Sequence, residues 1–262
     1  MGSILGIGGG IFLVPLLVLV FDIDIQIAAA TSLVAVIVTS STSASSYLHE
    51  GYVNVKLGMF LETFTTAGAV IGALLVVYLT PSTIEIVLAM ALVYASVYMM
   101  FRAEPKPIIS ASGSQSPLCR RFRCRYSDES TGSNVEYDIR NARVGAFGSF
   151  VAGNLSGLVG IGGGIVKVPI MNISMGVPIK AATATSNFML GVTALAGVLV
   201  YLSHGFIAPV LTGVVCIGIF MGATLGSRTM PRLRGTFVRF LFGAILLVIA
   251  ATLVLRASGV WI

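Results

Sequence analysis

The sequence predicts an all-α, polytopic membrane protein built from two tandem repeats. Hydrophobic residues make up 56% of the 262 residues and charged residues only 10%, whereas a soluble domain is nearer a quarter charged. The mean hydropathy of +0.98 agrees. In addition, the pattern Gly-Ile-Gly-Gly-Gly-Ile-x-x-Val-Pro of residues 6–15 returns at 160–169, 154 residues later. At roughly 20 residues a span, about six to eight crossings fit one membrane domain.

Eight apolar segments account for these crossings. Only helices and closed barrels satisfy the backbone in a bilayer, and the segments lack the period-two alternation of barrel strands, so we predict helices. The segments lie at 4–21, 25–48, 57–79, 84–101, 144–175, 181–202, 206–225 and 237–255.

The segment between the two halves is the one stretch that the composition places outside the membrane. It contains prolines, a Ser/Gly-rich stretch and several arginines, a composition typical of a flexible linker. The predicted domains are therefore a first membrane repeat at 1–102, a cytoplasmic basic linker at 103–142 and a second membrane repeat at 143–262.

The glycine clusters interrupt the first segment of each repeat. Residues 144–175 are too long for one untilted span and too short for two, and glycines lie near their middle. We expect a re-entrant hairpin followed by three crossings in each repeat, an odd number that inverts the second repeat; one long tilted helix is the alternative. Only five residues precede the first cluster, so we expect the first repeat to lack most of its first half-helix.

The basic residues favour the inverted arrangement. In that arrangement 14 of the 16 Lys and Arg fall on the side of the linker; if each glycine segment crossed once, five of them would move to the other side. The positive-inside rule then places the linker in the cytoplasm and Asp22 and Asp24 outside. We expect a multi-pass protein of a prokaryotic plasma membrane, whose net charge of +6 reflects these loops and not nucleic-acid binding.

Each glycine cluster is a candidate anion site. Glycines break a helix and free backbone N–H groups, and the N-terminus of the following half-helix adds a positive dipole end. Close helix packing by small residues is the alternative. Paired broken helices are the sequence pointer to the binding site of a secondary transporter. The candidate residues are Gly8, Gly9, Gly10, Gly162, Gly163 and Gly164.

The motif Gly-x-Gly-Gly-Gly-x-x-x-x-Pro, followed by Ala-Thr-Ser and present twice, resembles the sulfite exporter TauE/SafE family. The pieces are residues 6–15 with 30–32, and 160–169 with 184–186. The resemblance covers nearly the whole chain except the linker. It implies an integral membrane transporter of sulfite, of sulfonates such as sulfoacetate, or of related small anions.

Several polar residues follow or precede the clusters. Four hydroxyls are predicted to open the next helix, where they either cap backbone N–H groups or donate to an oxyanion. Two asparagines are candidate amide donors at membrane depth. These six residues are Thr31, Ser32, Thr185, Ser186, Asn154 and Asn187.

Two ionisable residues lie inside apolar segments. Lys167 follows the second cluster, and an intramembrane lysine is usually functional; either it contacts the anion or it snorkels to the interface. Glu62 is either the carrier of a coupling proton or, as we favour because Lys56 is only six residues away, an interfacial carboxylate. Glycines spaced by four at Gly68 and Gly72, and again at Gly218, Gly222 and Gly226, predict close-packed helix faces.

These features predict a secondary carrier of a small anion that works by alternating access. A channel-like or assembly-partner membrane protein without a transport cycle is the alternative. We expect no enzyme, because the apolar segments hold no histidine pair or carboxylate dyad, and no cofactor or metal. The expected partners are a small anionic substrate and the lipid bilayer, with no nucleic acid; homo-oligomerisation stays open.

Overall fold

The structure, a computed structural model, describes residues 8–49, 51–101, 125–128, 133–137, 139–229 and 246–255. In the first half the helices are α1 (Gly10–Leu19), α2 (Ile25–His49), α3 (Val55–Tyr78) and α4 (Pro81–Phe101). In the second half they are α5 (Ala142–Val159), α6 (Gly164–Pro169) with a π-helical turn at Ile170–Ser174, α7 (Ile179–Ser203), α8 (Pro209–Thr229) and α9 (Leu246–Leu255).

The described helices have the length and the surface of a membrane protein. Three of them are long and apolar enough to cross a bilayer: Ile25–Ala44, Val55–Tyr78 and Ile179–Ser203. Large apolar side chains face outward, among them Val210 at 82% exposure and Phe147 at 72%. Such a surface would promote aggregation in water but suits lipid, so the predicted class of membrane protein is confirmed.

The second glycine cluster breaks the segment between 144 and 175 as predicted. Helix α5 ends at Gly160 (φ +79°), and α6 begins after Gly163 (φ +73°), because only glycine adopts this left-handed conformation without strain. The arm that follows runs back along α5: Gly148 contacts Ile170, and the Arg140 N–H donates to the Met175 carbonyl at 3.0 Å. The segment is therefore a helical hairpin, and the alternative of one long tilted helix is excluded.

Helices α3 and α5 run parallel at backbone contact. Glycines of each helix lie against main-chain atoms of the other, so that an added Cβ would overlap a carbonyl oxygen. Gly68 and Gly72 of α3 meet Phe150 and Asn154, and Gly153 and Gly157 of α5 meet Thr65 and Ala69. This confirms the first predicted glycine face. The second is not found within the described residues, since Gly218 and Gly222 have no atom within 4 Å of the added Cβ.

Helices α2 and α7 correspond at the repeat spacing of the sequence, and they pack against each other in opposite directions. Both contain 25 residues, and they begin 154 residues apart. Leu33, early in α2, lies against Gly197, late in α7, whereas Ser40, late in α2, lies against Gly191. The two helices are therefore antiparallel.

The linker contains more structure than its composition predicts. Residues Arg125–Asp128 (β1) and Ser133–Glu136 (β2) pair as an antiparallel hairpin. The all-helical class is confirmed for the two halves, and the hairpin is an addition within the predicted linker. After β2, Tyr137 and Ile139 are buried against residues that include Leu57. The alternation of Val135, Tyr137 and Ile139 favours a half-buried strand, a signal that the neighbouring serines and glycines obscured. Within the predicted linker, residues 103–124, 129–132 and 138 lie outside the described residues.

Candidate functional site

The glycine clusters of the two halves contact each other. We call residues 8–10 and 160–164 the two glycine breaks. Gly10, the first residue of α1, lies beside the break between α5 and α6: a Cβ at this position would be 2.6 Å from the Gly160 carbonyl oxygen and 3.1 Å from the Ile161 Cα. Glycine is required here because the two backbones approach too closely for any side chain.

The same pairs of positions meet from both halves. Gly8 and Gly162 each lie against the side chains of both Val36 and Leu190. Gly8 and Gly162 are 154 residues apart, and so are Val36 and Leu190. Two glycines at the repeat spacing thus contact the same two side chains, one from α2 and one from α7.

Two half-helices begin at this point. Helix α1 starts after Gly9 and α6 after Gly163, and neither start has a side-chain cap. In α6 the N–H groups of Val166 and Lys167 donate to the Gly163 carbonyl, while the amides before them have no acceptor inside the helix. The N-terminal amides and the positive dipole ends of α1 and α6 thus lie where the two glycine clusters meet.

The four predicted hydroxyls are buried, but they do not open their helices. Helix α2 begins at Ile25 and α7 at Ile179, so Thr31 and Thr185 lie well past the first turn and cannot cap it. The alanines before each Thr-Ser pair explain the difference, since alanine extends a helix. The prediction of first-turn capping by these residues is wrong.

These hydroxyls instead join separate elements. Ser32 Oγ donates to the Gly160 carbonyl at 2.7 Å and so holds the second break against α2. Thr31 and Thr212 share a hydrogen bond at 3.3 Å, and Thr185 Oγ1 accepts from the Asn54 N–H at 3.0 Å. Ser186 is fully buried beside Thr185.

The two asparagines lie in different places. Asn187 is buried in α7, and its backbone carbonyl accepts from Ser40 Oγ at 2.6 Å across the crossing with α2. Asn154 lies in α5 with its backbone against Gly68 and Gly72 of α3. The contacts described for Asn154 are thus those of helix packing, and its role in an anion site stays a prediction.

Lys167 is buried in an ion pair. Its side chain is 1% exposed, which excludes snorkelling. The ammonium Nζ lies 3.6 Å from Glu62 Oε2 and donates to Thr193 Oγ1 at 2.8 Å. Thr193 donates in turn to Glu62 Oε1 at 2.7 Å. The cluster joins α6, α7 and α3 in one buried polar site.

Glu62 is the residue that sequence reasoning placed wrongly. It is 6% exposed and accepts a second hydrogen bond on Oε1 from Thr66 at 3.0 Å, so it is not an interfacial carboxylate. Lys167 itself was the available signal, because ionisable residues inside a membrane face the bundle interior and often pair with one another. The short sequence distance between Glu62 and Lys56 is not evidence for an interfacial Glu62, because Lys56 is exposed at the start of α3 while Glu62 is buried further along it.

The comparisons with known proteins agree with the membrane architecture. The sequence matches the family described as Sulfite exporter TauE/SafE over residues 1–253. It is 27% identical over 260 residues to a Bacillus subtilis (strain 168) protein named Probable membrane transporter protein YunE, covering 97% of this chain and 92% of that one. It is 24% identical over 261 residues to Probable membrane transporter protein MJ0441 of Methanocaldococcus jannaschii, covering 94% and 87%. No solved structure matches the chain.

Proposed function

Because the chain belongs to the sulfite exporter TauE/SafE family, we propose that it is a secondary carrier of a small anion, sulfite or an organosulfonate, that works by alternating access. Relatives that align along most of the chain are named as membrane transporters. The coarse activity, membrane transport, follows from the family. The substrate and the mechanism are the parts that we propose.

One observation carries the proposal: two half-helices begin where the glycine breaks meet, and a buried lysine lies in the first turn of one of them. Gly10 contacts Gly160 across the two halves, and Lys167 follows the start of α6 by three residues. Broken helices whose N-termini meet inside a membrane domain are typical of carriers that bind anionic groups. Uncapped amides and an ammonium together suit a sulfonate or sulfite oxyanion.

The antiparallel course of α2 and α7 supports an inverted repeat. Two halves related by an axis along the membrane normal would have parallel equivalent helices, whereas an axis in the membrane plane makes them antiparallel. In this arrangement the linker lies in the cytoplasm, as the basic residues favour. Rocking of one half against the other about the meeting point of the breaks would then expose the site to each side in turn.

The proposed anion site consists of the glycine backbone with nearby hydroxyl, amide and ammonium donors. The hydroxyls of Thr31, Ser32 and Thr185 are engaged with other protein groups in this structure, so anion binding requires that some of these hydrogen bonds exchange. The proposed residues are Gly8, Gly9, Gly10, Thr31, Ser32, Gly162, Gly163, Gly164, Lys167, Thr185, Ser186 and Asn187, with Asn154 the least supported.

Counterflow in proteoliposomes tests the proposal. Purified protein is reconstituted into vesicles loaded with unlabelled sulfite or sulfoacetate and diluted into a trace of the same labelled anion. A carrier gives a transient overshoot of label that saturates with concentration. A channel gives uptake without overshoot, and an assembly partner gives neither. A thermal-shift screen against sulfite, sulfate, sulfoacetate, taurine and carboxylates identifies the preferred anion beforehand.

A further inference from the structure

We infer that the Glu62 carboxylate takes up one proton whenever the transported anion displaces it from the Lys167 ammonium, so that anion and proton cross the membrane together. The inference rests on the proposed function. It adds a proton site on α3 and predicts the stoichiometry of the transport cycle.

The two oxygens of the Glu62 carboxylate have different surroundings. Oε1 accepts from Thr66 and from Thr193 at 3.0 and 2.7 Å. Oε2 is buried and lacks a hydrogen-bond donor among the described residues; its nearest charge is the Lys167 ammonium at 3.6 Å. A buried carboxylate oxygen without a hydrogen bond is costly, and a proton can add to this oxygen without breaking a hydrogen bond that the carboxylate already accepts.

The charge balance of the cluster demands a proton. Lys167 and Glu62 together are neutral while they are paired. An anion of charge −1 that binds Lys167 leaves the pair with a net charge of −1 and a carboxylate separated from its partner. A buried charge without a partner costs several kcal/mol, whereas protonation of Glu62 restores neutrality. The proton adds to Oε2 from the aqueous side to which the site is open, and it leaves with the anion on the other side.

Among the described residues, Lys167 is the ionisable group that contacts Glu62. Among the elements packed against α3, α5 contributes Arg143 and α7 begins with Lys180, and both residues are exposed near helix starts, as is Lys56 of α3 itself. The Tyr201 hydroxyl of α7 donates to the Gly157 carbonyl of α5. Lys167 is therefore the group that balances Glu62 in the described residues.

The pair joins the two halves, and the positions related to it by the repeat carry no charge. At the repeat spacing of 154 residues, Lys167 corresponds to Leu13 and Glu62 to Cys216, both partly buried. The positions equivalent to the pair, one in each half, thus carry no charge. A buried ion pair is also weak evidence for stability, since apolar residues often serve equally well. These two facts favour a role in the transport cycle over a role in holding the fold.

The test follows protons and anions in the same vesicles. Parent protein is reconstituted with a pH-sensitive dye inside, and gradients of sulfite and of sulfoacetate are imposed in separate experiments beside protein-free vesicles. We expect anion entry to carry protons inward and an imposed pH gradient to drive anion accumulation. In the Glu62→Gln variant, the number of protons that enter with each transported anion should fall at least tenfold, and this ratio does not depend on the amount of active protein.

Glu85→Gln is the matched control, because Glu85 is also a buried carboxylate in a helix but lies in α4; it should stay coupled. Counterflow in the parent without proton movement would overturn the inference and leave the proposed function intact, and this result needs no variant that folds. Coupling that persists in Glu62→Gln would also overturn it. Absence of counterflow in the parent would refute the proposed function itself, and the inference with it.

Discussion

Lys167 and Glu62 carry opposite charges in a bundle whose neighbouring helices are mainly apolar. Their ammonium and carboxylate are 3.6 Å apart, with Thr193 between them. At this scale the sequence identified one partner and misplaced the other. A lysine in a membrane segment stands out in the sequence, so Lys167 could be identified directly. The burial of Glu62 depends on how α3 packs against α5 and α7, and no local sequence pattern predicts that packing.

The pair predicts a non-additive effect on stability. Lys167→Met and Glu62→Gln should each lower the free energy of unfolding, because each leaves a buried polar or charged group without its partner; loss of one member of a buried pair typically costs about 3–5 kcal/mol. The double variant should be less destabilised than the sum of the two single variants. Unfolding in mixed detergent and SDS micelles measures all four proteins. Additive losses would show that the residues do not interact.

Lys167 also predicts an effect on affinity. In the Glu62→Gln background, where the ammonium has no competing carboxylate, Lys167→Met should weaken anion binding by about 1.5–3 kcal/mol, the size of a hydrogen bond to a charged group. This corresponds to roughly a ten- to hundredfold rise in Kd. Lys167→Arg in the same background should have a milder effect, because its planar fork presents donors differently. Binding isotherms for sulfite and sulfoacetate measure the Kd of the three proteins. Equal affinities in Glu62→Gln and in its Lys167→Met derivative would show that Lys167 is not part of the site.

At the scale of elements, the broken helix is the part that the sequence predicted well. Glycine adopts left-handed backbone conformations that other residues avoid, so the break between α5 and α6 lies at the glycine cluster. Helix starts were predicted less well: Thr31 was expected to open a helix that begins at Ile25. The short β-hairpin was missed because its alternating residues are few and the composition around them is that of a linker.

The break predicts a difference between two glycines of similar conformation. Gly163 and Gly205 have φ of +73° and +74°, so Gly163→Ala and Gly205→Ala share a conformational cost of about 1–2 kcal/mol. A Cβ at Gly163 would also lie 2.7 Å from the Ala152 carbonyl oxygen, whereas Gly205 faces open space. Gly163→Ala should therefore unfold at a clearly lower SDS fraction than Gly205→Ala. Equal losses would show that the hairpin is not packed tightly at the break.

For the whole molecule, composition predicted the membrane class, and the 154-residue spacing pairs α2 with α7, two helices of equal length. The sequence could not show that the breaks contact each other or that α2 and α7 cross, because these contacts join residues more than a hundred positions apart. The sequence alone cannot identify the substrate, since backbone amides and hydroxyls bind many oxyanions.

The inverted arrangement predicts the membrane topology. Single cysteines at Ser112 and Arg232, both outside the described residues, should react with a membrane-impermeant reagent from the cytoplasmic side, and one at Asp24 from the outside. The native Cys119, Cys124 and Cys216 are replaced first. Labelling of the positions 112 and 232 from opposite sides would contradict the inverted repeat.

Counterflow through two glycine variants tests the central claim, that an anion crosses where the two breaks meet. Gly10→Ala places a methyl group 2.6 Å from both the Gly160 carbonyl oxygen and Ser32 Oγ, whereas Gly218→Ala meets no atom within 4 Å and replaces a helical glycine by a better helix former. With labelled sulfite or sulfoacetate, the account predicts an overshoot in the parent and in Gly218→Ala and at least a tenfold smaller one in Gly10→Ala of equal reconstitution. An equal overshoot in all three proteins would contradict it.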